Sequence, residues 1–324
     1  MAVHGRPPGA RPVSDAFRTD VLAGLHARPR AIPARWFYDR RGSALFEAIT
    51  ALPEYYPTRA ETAVLAAIGP ELAMLTSVGR AVVEFGSGSS TKTPLLLRAI
   101  EPSAYVPIDI SGAFLREAAA GLAGDFPGLP VIPVEADFTR PLTLPDAVAG
   151  APKLGFFPGS TIGNLAPAQG VDLLRGMRDT LGDGAQLLIG MDRIKDRDVL
   201  LAAYDDADGV TAAFNLNLLE RINRELGGTT PVDAFTHQAR WNDGAARIEM
   251  HLVADRDVAF TVAGERFALE EGETIHTENS HKYGARDARM LLRAGGWTPV
   301  SEWADPQGLF AVFLAEARPV ERAP

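Results

Sequence analysis

Short apolar runs that end at turn residues, each followed by a segment with helical spacing, dominate the hydrophobic pattern of the middle of the chain. Ala81-Val-Val-Glu-Phe85 is one such run. Gly86-Ser-Gly88 breaks it, and Thr93–Ile100 continues as an amphipathic segment. That order reads as buried strand, glycine turn, helix. Apolar runs recur at Val106-Pro-Ile-Asp109, Val131–Val134, Leu154-Gly-Phe-Phe157 and Gln186–Met191, with a helical stretch at Leu173–Leu181. Strands alternating with helices predict an α/β fold with a doubly wound, largely parallel sheet.

The flanks carry other periods. Phe17, Val21 and Leu25 follow Ser14 at four-residue spacing, which predicts a helix with Ser14 as its N-cap. A short helix is expected at Ser43–Ile49 and a longer one at Arg59–Leu75, with Ala63, Leu65, Ile68 and Leu72 apolar. Prolines bracket two tyrosines in Leu52-Pro-Glu-Tyr-Tyr-Pro-Thr-Arg59, so this stretch is expected to be an ordered loop. After Asp192, helices are predicted at Asp198–Tyr204 and Val210–Leu226. Phe214, Leu218, Ile222 and Leu226 form the apolar stripe of the second, and Gly227-Gly228 stop it. Residues 235–280 then alternate with period two through Ala246–Val253, Asp257–Val262 and Arg266–Leu269, with turns at Gly264 and Gly272. This is an inserted antiparallel unit. A helix at Asp287–Ala294 and strands at Trp297–Trp303 and Leu309–Ala315 close the pattern. The expected division is a core of residues 60–195 plus 285–324 and a second, α+β domain of 14–59 plus 196–284. Residues 1–13, rich in Pro, Gly and Arg, are expected to be flexible.

Composition narrows the function classes. The chain has 324 residues, 46% of them hydrophobic, enough for one large or two closely joined domains. A formal net charge of −9 with no basic tract argues against nucleic acid or an anionic membrane as partner. The absence of cysteine removes disulfides, thiolate metal sites and a cysteine nucleophile. The six histidines show no ligand spacing of the H-E-x-x-H kind, and no metal is expected. With no apolar signal core at the N-terminus and no run of membrane-spanning length, a cytoplasmic protein is expected, and a monomer.

The glycine turn carries the first chemistry. Gly86 and Gly88 allow positive φ and close approach of a ligand to the backbone, and the following helix offers free N–H groups. A dinucleotide site prefers a third glycine where this chain has Thr91, followed by Lys92. Glu84-Phe-Gly-Ser-Gly88 instead fits the E-x-G-x-G turn of methyltransferases that use S-adenosylmethionine. An acid about 20 residues beyond the first glycine can hold ribose hydroxyls, and Asp109 stands at that distance. In Glu135-Ala-Asp-Phe138, Asp137 can accept from an adenine amino group with Phe138 beside the ring. Either aspartate alone reads as well as a helix cap or a solvated loop acid; the ordered set of strand ends points to an adenosyl site. Tyr38, Tyr55 and Tyr56 remain open between aromatic packing and ligand contact.

Over nearly its whole length the chain resembles the histidine-specific, S-adenosylmethionine-dependent Nα-methyltransferases of ergothioneine biosynthesis. The matching segments are Trp36-Phe-Tyr-Asp39, Leu52–Arg59, Glu84–Gly88 with Lys92, Gly159-Ser-Thr-Ile-Gly-Asn164, Ala203-Tyr-Asp-Asp206, Val210-Thr-Ala-Ala-Phe-Asn215, Arg247-Ile-Glu-Met250 and Thr277-Glu-Asn-Ser280. The resemblance implies a class I methyltransferase core with a substrate-binding domain built from the N-terminal segment and the insert. It implies that Gly86, Ser87, Gly88, Lys92, Asp109, Asp137 and Phe138 hold S-adenosyl-L-methionine. Asn164 and Tyr204 would take the carboxylate of L-histidine and Gly159 its amino end. Tyr38 and Tyr55 would line the pocket, Tyr38 near the amine. Tyr38, Gly159 and Asn164 would thus be the catalytic group. Glu278 and Ser280 would read the imidazole, with Met250 beside it. His276, Asn279 and His281 flank that pair and depart from the pattern.

Three rival readings are weaker. A methyltransferase of tryptophan or another indole fits Glu278 and Ser280 poorly, because indole has one N–H donor and no acceptor. An idle cofactor-binding regulator does not explain the full set from Tyr38 to Ser280. An NAD oxidoreductase lacks the third glycine and any hydride-handling motif.

Overall fold

The computed structural model describes residues 13–88 and 90–318. The flexible segment expected at 1–13 lies outside the described residues, apart from Val13. The first helix, α1 (Val13–His26), already includes Ser14, the expected cap, and buries Phe17, Val21 and Leu25 as their spacing predicts. β1 (Arg30–Ala31) and α2 (Arg40–Ala51) follow, and then α3 (Tyr56–Leu75). α3 begins at Tyr56 rather than Arg59. Pro57 sits in its first turn, where the missing N–H has no intrahelical partner to lose, so only Leu52–Tyr55 remain loop. Arg59 clamps that loop by donating to the Leu52 and Pro53 carbonyls at 2.7 and 2.5 Å.

The alternating region follows: β2 (Ala81–Phe85), α4 (Thr93–Ile100), β3 (Ala104–Asp109), α5 (Gly112–Asp125), β4 (Val134–Glu135), β5 (Lys153–Phe157), α6 (Pro167–Leu181) and β6 (Gln186–Asp192). Next come α7 (Arg197–Tyr204), α8 (Val210–Leu226), β7 (Phe235–Asn242), β8 (Arg247–Ala254), β9 (Val258–Val262), β10 (Glu265–Leu269) and β11 (Thr274–His281). α9 (Ala285–Ala294), β12 (Thr298–Ala304) and β13 (Phe310–Glu316) end the chain. The run at Val131–Val134 shrinks to β4 plus a single bridge from Val131 to Tyr105. Pro133 has no N–H to give a ladder there.

Contacts divide the chain into two units. The larger comprises Glu47–Ala203, Trp241–Ile248 and the chain from Asn279 on; the smaller comprises the chain up to Phe46, Tyr204–Arg240 and Glu249–Glu278. The larger unit holds a seven-stranded sheet in the order β12-β13-β6-β5-β2-β3-β4. β4, β3, β2, β5 and β6 run parallel, and β13 is antiparallel to β6 and to β12. This is the doubly wound α/β sheet expected of a class I methyltransferase. Its strand order reverses beside β2, which places a ligand crevice at the carboxyl ends of β2 and β5. Both faces are covered: Val83 and Phe85 join a cluster with Ile162, Leu174 and Trp297, and Val82 joins one with Val64, Leu65 and Leu96. Two-sided burial explains why β2 reads as a continuous apolar run.

In the smaller unit β9 and β10 form a hairpin through Ala263-Gly264, both at positive φ (51° and 87°), the conformation a type I′ turn needs. A four-stranded sheet runs β1-β11-β8-β7, with Arg30 of β1 paired in parallel to Ile275. Asn215 of α8 is fully buried against it. It donates to His237 Nδ1 at 2.8 Å and the His251 carbonyl at 3.2 Å, and accepts from Thr277 Oγ1 at 2.8 Å. Among the described residues no helix is long and apolar enough to cross a membrane.

Candidate active site

β2 delivers the chain into a turn at the sheet's crevice. Gly86 and Gly88 have φ of 73° and 50°, and a Cβ on Gly86 would lie 3.2 Å from the Phe138 ring. Glycine is therefore required there by conformation and by contact. The Gly86 and Ser87 amides donate to the Ile108 carbonyl at 2.8 and 3.2 Å, tying the turn to β3. Asp109 closes β3 with its carboxylate spread over the turn: Oδ2 accepts from Gly88 N at 3.1 Å and Oδ1 from Ser111 N at 2.9 Å. Each carboxylate oxygen keeps further acceptor capacity for a diol. Ser87 Oγ is buried with no protein partner, a polar atom that a bound group would satisfy. Phe138 stands edge-on to Phe85 and Phe157, and Asp137 Oδ1 accepts from Thr139 N at 3.0 Å. Gly86, Ser87, Gly88, Asp109, Asp137 and Phe138 thus gather at one end of the sheet, and this donor set fits an adenosyl group.

Under the turn, Glu84 is buried in β2 and accepts from Tyr105 Oη at 2.6 Å and Thr93 Oγ1 at 2.7 Å. Burial pushes its carboxyl up to about 7, against the pull of those two bonds and of Lys92. The glutamate of the motif therefore braces β2, β3 and the start of α4 from inside.

The Pro158–Asn164 loop leaves β5 at the same end. Gly159 has φ of 78° and donates its amide to Glu61 at 2.9 Å. Glu61 is wholly buried and also holds Lys92. Sequence reasoning missed it; the signal is a charge on the stripe Ala60, Val64, Leu65, Ile68 and Leu72 of α3. Lys92 thus stands 3.9 Å from where a Gly159 Cβ would lie, engaged by Glu61. Asn164 ends the 3-10 turn Thr161–Asn164. A Cβ on Gly163 would lie 2.9 Å from the His281 carbonyl oxygen, so this loop rests directly on the His281 backbone, which belongs to the same larger unit.

A buried charge cluster sits beside that contact. Asp192, the last residue of β6, pairs with Lys282 at 2.8 Å and with Lys195, and accepts from Tyr56 Oη at 2.7 Å. Burial alone would raise its carboxyl, but Lys282 and Lys195 outweigh that and hold it below the ordinary value. Burial lowers Lys195 to about 8 despite Asp192. Lys282 Nζ also donates to Ser280 Oγ at 2.6 Å. No sequence spacing announces this set, which joins α3, β6 and the end of β11. Tyr55, buried at the start of α3, belongs to the same unit.

Tyr38, Tyr204, Met250 and Glu278 fall in the smaller unit. The Tyr38 ring meets Phe46 and Phe214 edge-on at 5.7 and 5.8 Å. Tyr204 ends α7, and its carbonyl accepts from His237 Nε2 at 2.8 Å. Asp206 caps α8, accepting from the Val210 and Thr211 amides at 2.8 and 2.7 Å. Met250 is buried in β8, its carbonyl 3.1 Å from Thr277 Oγ1, whose one hydrogen is shared with Asn215 Oδ1. Motif residues Asp39, Asp206 and Asn215 are therefore builders: Asp39 takes Gly42 N and Asn217 Nδ2 at 2.7 and 2.9 Å.

The chain is similar to known methyltransferases. Residues 17–317 match the family model of histidine-specific, SAM-dependent methyltransferases. The chain is 41% identical over 308 residues to the histidine N-alpha-methyltransferase of Mycolicibacterium smegmatis, covering 93% of this chain and 95% of that one. It is likewise 41% identical to the histidine N-alpha-methyltransferase of Mycobacterium tuberculosis, covering 93% and 94%. It is 29% identical to ergothioneine biosynthesis protein 1 of Neurospora crassa over 93% of this chain and 35% of that longer protein. With a turn shaped for an adenosyl group and a family match over almost all of its length, the chain belongs to the histidine-specific, SAM-dependent methyltransferase family.

Proposed function

We propose that this protein methylates the α-amino group of L-histidine successively to Nα,Nα,Nα-trimethylhistidine (hercynine), the first step of ergothioneine biosynthesis. The observation that carries the substrate reading is Ser280. Its oxygen accepts from Lys282 Nζ at 2.6 Å, and a serine hydroxyl can both donate and accept. Glu278, two residues earlier on β11, supplies an acceptor on the same strand face. A donor and an acceptor match the two nitrogens of a neutral imidazole, whereas indole has only an N–H.

In this reading residues 60–195 and 285–324 bind S-adenosylmethionine, and 14–59 and 196–284 bind the amino acid. Asn164 and Tyr204 hold the carboxylate, Gly159 and Tyr38 orient the amine, and Tyr55 and Met250 complete the pocket. When bound, S-adenosylmethionine supplies an electrophilic methyl on a sulfonium centre. The chain's task is alignment, which can supply ~7–11 kcal/mol of a barrier. An α-amine titrates near pH 8, so a small depression frees its lone pair and no strong buried base is needed. Glu61, by gripping the Gly159 amide, fixes the direction of the loop that meets the amine. The same reading takes the protein as a cytoplasmic monomer acting on a free amino acid, with no nucleic acid or membrane partner.

Mass spectrometry of L-histidine incubated with protein and S-adenosylmethionine tests it: successive gains of one, two and three methyls are expected. Faster methylation of tryptophan would move the assignment to the indole reading, and no methylation of either would leave an idle binding protein.

A further inference from the structure

Glu249, His251 and His276 stand together in the smaller unit, and none has a part in the proposed methyl transfer. Glu249 and His251 are two apart on β8, so their side chains leave the same face. His276 comes from β11. The two imidazoles stack, with centroids 4.9 Å apart and planes 20° from parallel. One ligand atom from each of the three residues lies within 4.8 Å of the other two. His251 Nε2 is 3.2 Å from Glu249 Oε2. That is about the edge of a tetrahedron of ligands held at ~2.0–2.1 Å around a zinc ion.

The outer nitrogens already have holders. His276 Nε2 lies 2.8 Å from the Glu278 carbonyl oxygen. A carbonyl only accepts, so Nε2 carries the hydrogen and Nδ1 the lone pair. His251 Nδ1 lies 3.2 Å from Thr274 Oγ1, which can accept from it. Histidine ligands commonly have their second nitrogen held in this way.

We propose that Glu249, His251 and His276 form a three-ligand site for a first-row transition-metal dication, with Glu249 Oε2, His251 Nε2 and His276 Nδ1 as ligands and water completing the shell. On binding, the hydrogen on His251 Nε2 is exchanged through water to Nδ1 and donated to Thr274 Oγ1, so no net proton is lost. Two imidazoles and one carboxylate favour zinc, cobalt, nickel or copper over magnesium or calcium.

The test is calorimetric titration of the full chain with zinc chloride, in the absence of free histidine, which chelates the ion itself. One zinc per chain is expected. His251→Ala and His276→Ala should each weaken binding at least about tenfold. His26→Ala, at an exposed histidine paired with Glu265, should leave it unchanged. Cobalt added to the unsubstituted protein should give visible ligand-field absorption that zinc abolishes, which keeps the test open if a variant does not fold. Absence of stoichiometric zinc or cobalt uptake overturns the proposal. So does unchanged binding by both histidine variants when circular dichroism shows them folded.

Discussion

At the scale of single residues, two carboxylates in adjacent strands do opposite jobs. Asp109 is a ligand candidate with its oxygens at the crevice, and Asp109→Ala should weaken S-adenosylmethionine binding. Charge-assisted bonds are worth roughly 1.5–3 kcal/mol, so calorimetry should show a loss of about 10- to 100-fold with the fold intact; unchanged affinity removes Asp109 from the site. Glu84 is structural and titrates near neutrality. Burial puts its folded pKa at about 7, above the ordinary glutamate value of 4.5. Its contribution to stability is therefore complete below about pH 4.5 and is lost as pH rises through about 7. The loss is roughly 3 kcal/mol at pH 8. Glu84→Gln should flatten this decline. Urea midpoints compared at about pH 5 and pH 8 will check it, and identical slopes for variant and parent would count against a protonated Glu84.

Among the elements, the contact between α3, β6 and the Gly159 loop is the most exacting. A Cβ on Gly190 of β6 would lie 2.0 Å from Glu61 Oε1 and 2.9 Å from the Phe310 ring. Gly190→Ala must therefore push Glu61 off the Gly159 amide or part β6 from β13. Overpacking of this kind costs about 1–3 kcal/mol. The expected outcome is a lower Tm and a reduced kcat with S-adenosylmethionine affinity retained; a variant with unchanged kcat would show that Glu61 does not set the loop. Much of this layer was legible beforehand. The strand and helix runs named between Ala81 and Asp192 appear where the apolar periods placed them, and α5 (Gly112–Asp125) is added to them. The exceptions have local causes: Pro57 was read as a breaker but serves as a helix starter, and Pro133 cuts a strand short. β1 is two residues long and too short to carry a period.

For the molecule as a whole, the expected substrate is defined by both ends of histidine. Histamine lacks the carboxylate assigned to Asn164 and Tyr204, and should be methylated at least about 10-fold less efficiently than histidine. Equal kcat/KM for the two would defeat that assignment. Phenylalanine is close in size but cannot pair with Glu278 and Ser280. A site built for hydrogen bonds rejects such analogues by up to ~10⁴–10⁵, so competition between histidine, phenylalanine and tryptophan measures this directly. Lys282→Met should raise KM for histidine more than it changes S-adenosylmethionine binding, because it withdraws the ammonium that sets the Ser280 hydroxyl; a KM like that of the parent would make Lys282 structural only.

The residue order by itself determined the sheet, its glycine turn and the acids at its strand ends, because these depend on short-range period and on backbone freedom at Gly86 and Gly88. It also carried the family motifs. It did not reveal why those motifs contain Asp39, Asp206 and Asn215, which cap or cross-link the fold. Glu61 with Gly159, Asp192 with Lys282, and Glu249 with His251 and His276 were decided only by tertiary structure. Each set brings together residues from elements far apart in sequence, and burial of Glu61, Asp192, Lys282 and His251 leaves those groups little water to pair with. Such groups must find one another in three dimensions, and no spacing along the chain records the meeting.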